Sequence, residues 1–220
     1  MLLHHYPLDP FSRKLRIGLA EKGIACELVD VLPWEREDAF LEVSPAAETP
    51  VLDDRGVLVP DSMAALEYLE ETQTARPLLG RSPVERAETR RLIGWFDVKF
   101  VREVTDLLWR EKLLKRVKRT TVPNSEAVRA GLVNIHAHLD YISYLFERRN
   151  WLAGDALTWA DCAAAAQLSV IDYLGDVPWD KHPGAKEWYA RIKSRPSFRP
   201  LLRDRVVGLK PADHYDDLDF

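Results

Sequence analysis

Asp9-Pro10-Phe11-Ser12-Arg13-Lys14-Leu15-Arg16-Ile17-Gly18-Leu19-Ala20-Glu21-Lys22-Gly23-Ile24 reads as a turn that runs into a helix. A proline fits the first helical turn, where its missing N–H has no intrahelical partner to lose. Leu15, Ile17, Leu19 and Ala20 supply the apolar positions, and Gly23 stands where a left-handed residue would stop the helix. The preceding residues 1–6 begin apolar and read as a short strand. The unit is therefore strand, turn, helix.

Further out, residues 25–31 alternate as a strand does, and residues 34–43 read as a charged helix or irregular turn. Residues 50–52 and 57–59 are apolar runs separated by Asp53-Asp54-Arg55-Gly56, a hairpin signature. Asp61 or Ser62 then caps a helix with apolar Met63, Leu66 and Leu69. The order over residues 1–75 is βαβαββα. Residues 73–82 turn polar, with Pro77 and Gly80, and read as a linker. Beyond it, helical patterns cover 83–118, 125–149, 158–174, 181–194 and 197–203. The predicted organisation is an α/β unit (1–75), an all-α unit (82–203) and a C-terminal tail (204–220).

The chain has 220 residues, 46% of them hydrophobic, enough for one large or two small cores. A net charge of −4 argues against nucleic acid as a general partner. The basic stretch Arg110, Lys112, Lys115, Arg116, Lys118 and Arg119 is expected to be a solvated helix end. Cys26 and Cys162 are expected to be buried free thiols. His4 and His5 share no ligand spacing with another His or Cys, so no metal site is expected, and both are placed on a strand face or the surface. No apolar run is long enough to span a bilayer, and residues 1–20 lack the apolar core of a signal peptide, so no membrane insertion and a cytoplasmic location are expected.

The Asp9-Pro10-Phe11 turn resembles the first strand-to-helix junction of the glutathione S-transferase superfamily. Three other stretches strengthen the resemblance. Thr49-Pro50-Val51-Leu52 is similar to that family's cis-proline strand entry. Asp61-Ser62 is similar to the acid-serine pair that opens its third helix. Leu157-Thr158-Trp159-Ala160-Asp161, led in by Trp151-Leu152-Ala153-Gly154, is similar to its capping motif in the helical domain. The implied fold is a thioredoxin-like N-terminal domain followed by an all-helical domain. The implied glutathione contacts are Thr49, Pro50, Asp61 and Ser62.

The family's catalytic position, a serine or cysteine in many members, falls here on Asp9. An ionised carboxylate only accepts hydrogen bonds and would repel a thiolate. Tyr6 and Ser12 are the neighbouring candidates for activating a thiol. Asp9 could act as a general base only if burial raised its pKa, and nearby Arg13 and Lys14 argue against that. No cofactor is required on this reading, although bound glutathione is compatible with it. The turn, the Pro33-Trp34-Glu35 step and the acidic-aromatic tail resemble a non-catalytic, FtsZ-binding cell-division branch of the family found in alphaproteobacteria. That resemblance implies a homodimer that binds FtsZ filaments, promotes curved filaments and constriction, and is recruited to the division site. Its implied contacts are Trp34, Asp213, Tyr215, Asp216, Asp217, Leu218 and Phe220. The competing reading is a glutathione S-transferase that conjugates glutathione to small electrophiles.

Overall fold

A computed structural model of the chain describes residues 1–218. Strand β1 (Leu2–His5) leads through the Asp9 turn into α1 (Pro10–Lys22), which ends at Gly23 in the left-handed conformation (φ 73°). Strand β2 (Glu27–Asp30) returns parallel to β1, as the intervening helix requires. A 3-10 turn (Pro33–Glu35) and the short α2 (Asp38–Val43) follow. Strands β3 (Val51–Asp54) and β4 (Val57–Pro60) form an antiparallel hairpin. Arg55 and Gly56 both have positive φ in its turn, and Asp53 Oδ1 accepts from the Gly56 N–H at 2.6 Å. The sheet order is β2-β1-β3-β4. Helix α3 (Ser62–Thr72) completes the unit, so the observed order matches the expected one.

A continuous helical rod over residues 83–117, α4, opens on a capping box between Ser82 and Glu85. Its turns widen to π geometry over Trp95–Thr105 and Arg110–Leu114. Leu92, Phe96, Phe100, Val104 and Leu108 are all buried at a strict spacing of four. That spacing would drift around a helix of 3.6 residues per turn, and the wider turns keep the five on one face. Helices α5 (Ser125–Phe146), α6 (Trp159–Tyr173) and α7 (Pro183–Lys193) follow. Every residue of α6 is buried, which makes it the axis of the helical domain. The α-helix expected over residues 197–203 is instead a 3-10 turn (Arg199–Arg203), where Pro200 has no N–H for a helical bond.

The two units meet where α1 crosses α6. A Cβ on Gly18 would lie 1.9 Å from two ring carbons of Trp159, so only glycine allows this approach. Salt bridges flank the same junction, three of them crossing it and Lys22–Glu70 lying within the first unit. Arg13 and Arg16 both pair with Asp204, Lys14 pairs with Asp97, and Lys22 pairs with Glu70. All four cations are buried. Glu70 also receives the Trp159 indole N–H at 2.9 Å.

His5 is buried rather than at the surface, and burial together with nearby Arg16 brings its pKa down to about 4. Cys162 is buried, while Cys26 is only half-buried. Among the described residues, no helix is long and apolar enough to cross a membrane, and no cluster of three or more His, Cys, Asp or Glu could hold a metal ion.

Candidate functional site

Asp9 sits at the N-cap of α1 and is nearly fully buried. Its Oδ1 accepts from the Phe11 N–H at 3.2 Å. Its Oδ2 accepts from the Ser12 N–H at 3.0 Å, the Ser12 hydroxyl at 2.6 Å and the Thr49 hydroxyl at 3.0 Å. The carboxylate thus ties the start of α1 to the loop before β3. Its pKa is pushed up to about 6, with burial the dominant cause and the four hydrogen bonds opposing it. This corrects the expectation drawn from Arg13 and Lys14, because both cations point away. Arg13 reaches the Pro7 carbonyl, Ser169, Tyr215 and Asp204, and Lys14 reaches Asp97.

Ser12 is fully buried, and its hydroxyl proton is committed to Asp9. Tyr6 is also buried, with its hydroxyl unpaired among the described residues, and burial raises the phenol's pKa. Trp34 packs edge-on against the Tyr6 ring, centroids 5.0 Å apart, so the indole belongs largely to a local apolar cluster. The Thr49–Pro50 bond is cis. Asp61 has φ 75° and caps α3, its Oδ1 accepting from the N–H groups of Met63 at 2.7 Å and Ala64 at 3.0 Å. Ser62 beside it is buried.

These positions can be tested against glutathione. At the thiol end, a carboxylate already saturated by four donors stands where a hydroxyl or thiol would have to act. At the γ-glutamyl end, Asp61 occupies two of the helix's first free N–H groups. The thiol end therefore offers no free donor for a thiolate, and the start of α3 is partly capped from within.

The tail is not a loose extension. Tyr215, expected at a partner interface, is fully buried. Its hydroxyl accepts from Arg13 at 2.9 Å and donates to the Leu201 carbonyl at 3.2 Å, and its ring meets Tyr173 edge-on. Next to it, the fully buried Asp172 gathers the Trp179 indole N–H, the Tyr189 hydroxyl and His214 Nε2, with the buried Lys193 at 3.7 Å. Nothing in the sequence singled out Asp172 or Lys193. Asp213, Asp216 and Asp217 are exposed, with Asp213 facing Lys210 and Asp216 paired to Arg205. Leu218 is half-buried against the core. Phe220 lies outside the described residues.

Comparison with known proteins agrees with this architecture. The family models "Glutathione S-transferase, N-terminal domain" and "Glutathione S-transferase, C-terminal domain" match residues 3–77 and 125–191. FtsZ-localized protein A of Caulobacter vibrioides is 50% identical, with 99% of this chain and 97% of that protein covered. A crystal structure of a glutathione S-transferase from Rhodospirillum rubrum superposes with a TM-score of 0.98 at 54% identity, covering 100% of this chain and 99% of the other. The structure of FzlA from C. crescentus does so with a TM-score of 0.95 at 49% identity, with the same coverage. Family models that match both units, together with similarity along the full length, place the chain in the glutathione S-transferase family.

Proposed function

We propose that the chain is a non-catalytic adaptor that associates with FtsZ, binds its filaments as a homodimer, and promotes their curvature during constriction at the division site. The observation that carries this reading is the end-to-end 50% identity to FtsZ-localized protein A. The geometry of Asp9 supports it from the chemical side. A carboxylate bonded to Ser12 and Thr49 offers no proton to a thiolate and spends its acceptors on the scaffold. No cofactor is needed for such a role. Two copies per adaptor would make filament binding bivalent and raise its avidity.

Co-sedimentation with polymerised FtsZ tests the reading directly. The intact chain should pellet with filaments and not with unpolymerised FtsZ, and electron micrographs should show more strongly curved filaments. Turnover of glutathione with a chlorinated aromatic acceptor, without pelleting, would favour the transferase reading instead.

A further inference from the structure

The basic stretch at the end of α4 does not simply face solvent. Together with the following loop, the end of α6 and the tail, it encloses a groove of about 560 Å³. The groove's apolar lining comes from Val122, Leu174 and Leu209, and Arg116, Arg119 and Lys210 stand around it. Val122 is 84% exposed at its rim. Two other lining cations are already neutralised, Lys112 by Asp176 at 2.6 Å and Lys115 by Glu111 at 2.6 Å. Arg116 and Arg119 are exposed and have no carboxylate partner among the described residues. Lys210 has only a 3.5 Å contact with Asp213, both side chains being largely exposed. On a chain of net charge −4, this is a local excess of positive charge over an apolar recess.

The shape and charge restrict the occupant. Nucleic acid binds along an extended basic stripe, which two unpaired guanidiniums do not make. A lipid surface takes a protruding basic-apolar face, whereas this one is concave. A recess of this size admits one or two apolar side chains, and the flanking guanidiniums suit carboxylates on either side of them. We infer that this groove docks a short acidic segment with an apolar anchor, presented by the filament partner. The inference rests on the adaptor reading above and supplies it with a contact surface.

The test uses the full chain, an Arg116→Glu/Arg119→Glu double variant and a separate Val122→Asp variant. All three positions are exposed, so circular dichroism should show the native fold in each. The probe is a short fluorescein-labelled peptide alternating Asp with Leu and Phe, read by anisotropy, with a Lys-for-Asp peptide as control. The acidic peptide should bind the native chain, lose at least about tenfold in affinity on either variant, weaken with added salt, and not be matched by the basic peptide. Pelleting with FtsZ filaments should fall in the double variant. Equal pelleting of native chain and double variant overturns the groove while leaving the adaptor reading intact. Failure of the native chain to pellet overturns the adaptor reading itself. An acidic peptide that does not bind, or binds the variants equally, overturns the proposal, as does variant-sensitive binding of duplex DNA or phosphatidylglycerol vesicles in place of the peptide.

Discussion

The Arg13 guanidinium and the Tyr215 hydroxyl are 2.9 Å apart inside the protein, although 202 residues separate them in the chain. Arg13 is fully buried and shares its remaining donors among Pro7, Ser169, Leu201 and Asp204. The C-terminal segment therefore completes the solvation of a charge that belongs to the first helix. Tyr215→Phe should lower the unfolding free energy by about 1–3 kcal/mol, because one Arg13 donor loses its acceptor in a dry environment. Arg13→Met should lower it by about 3–5 kcal/mol, since Asp204 then keeps only Arg16. Urea melts of the two variants test the order and size. Deleting residues 204–220 would strip Arg13 of Tyr215 and of its counter-ion Asp204, so loss of FtsZ pelleting in that deletion should be accompanied by loss of the native fold.

Gly18 gives a prediction opposite to helix propensity. In a helix, Gly→Ala ordinarily stabilises by about 1 kcal/mol. Here the added methyl meets the Trp159 ring at 1.9 Å, and the indole is held by its bond to Glu70. Gly18→Ala should therefore destabilise, by about 1–3 kcal/mol or more, as overpacked sites do. The melting temperature should fall by roughly 2–4 °C for each kcal/mol. A rise in melting temperature would mean that α1 and α6 can separate without loss.

Those two cases mark what the sequence could and could not tell. The Asp61 cap, the Asp53–Gly56 turn and the Thr158–Asp161 box were readable because each is satisfied within a few residues, whereas the capping role of Asp9 was not read, its carboxylate also reaching Thr49 far along the chain. The burial of Arg13, Lys14 and Lys22 was not, because each is balanced by a carboxylate far along the chain. For the same reason Tyr215 read as a contact residue, since nothing near it in sequence reveals that Arg13 awaits it. The raised pKa of Asp9 was missed because neighbouring cations in sequence point elsewhere in space. The basic end of α4 was legible as charge but not as a groove, since Leu174 and Leu209 come from distant segments.

His214 makes the attachment of the tail sensitive to pH. Its hydrogen bond to Asp172 raises its pKa above the ordinary value of 6.5, against the effects of burial and of the Lys193 and Lys186 charges. The native state thus holds the proton more tightly than the unfolded chain. The resulting stabilisation is complete below the unfolded pKa and is lost as pH rises through the folded one. The stability advantage of the native chain over His214→Gln should shrink as pH rises above the ordinary histidine value of 6.5. Thermal melts of the pair across that rise check this, and an advantage that grows with pH contradicts it.

Asp9 titrates with the opposite consequence for its charge and the same sign for stability. Burial raises its pKa from 3.8 to about 6, so between those values the folded protein binds a proton that the unfolded chain has released. Stability from this group is therefore full below about pH 4 and declines as pH rises through about 6. A shift of this size corresponds to about 3 kcal/mol in order of magnitude. Asp9→Asn keeps an oxygen for Ser12 and Thr49 but has no proton to lose. The difference in melting temperature between native chain and variant should favour the native chain most near pH 4 and move toward the variant by pH 7. Asp9→Ser goes further, replacing the carboxylate with a hydroxyl that could donate to a thiolate. If the pocket lost only its activating group, that variant should bind glutathione measurably and turn over a chlorinated aromatic acceptor. If Asp61 also blocks the γ-glutamyl end, as its hold on Met63 and Ala64 implies, Asp9→Ser alone should stay inert, and activity should require Asp61→Glu as well.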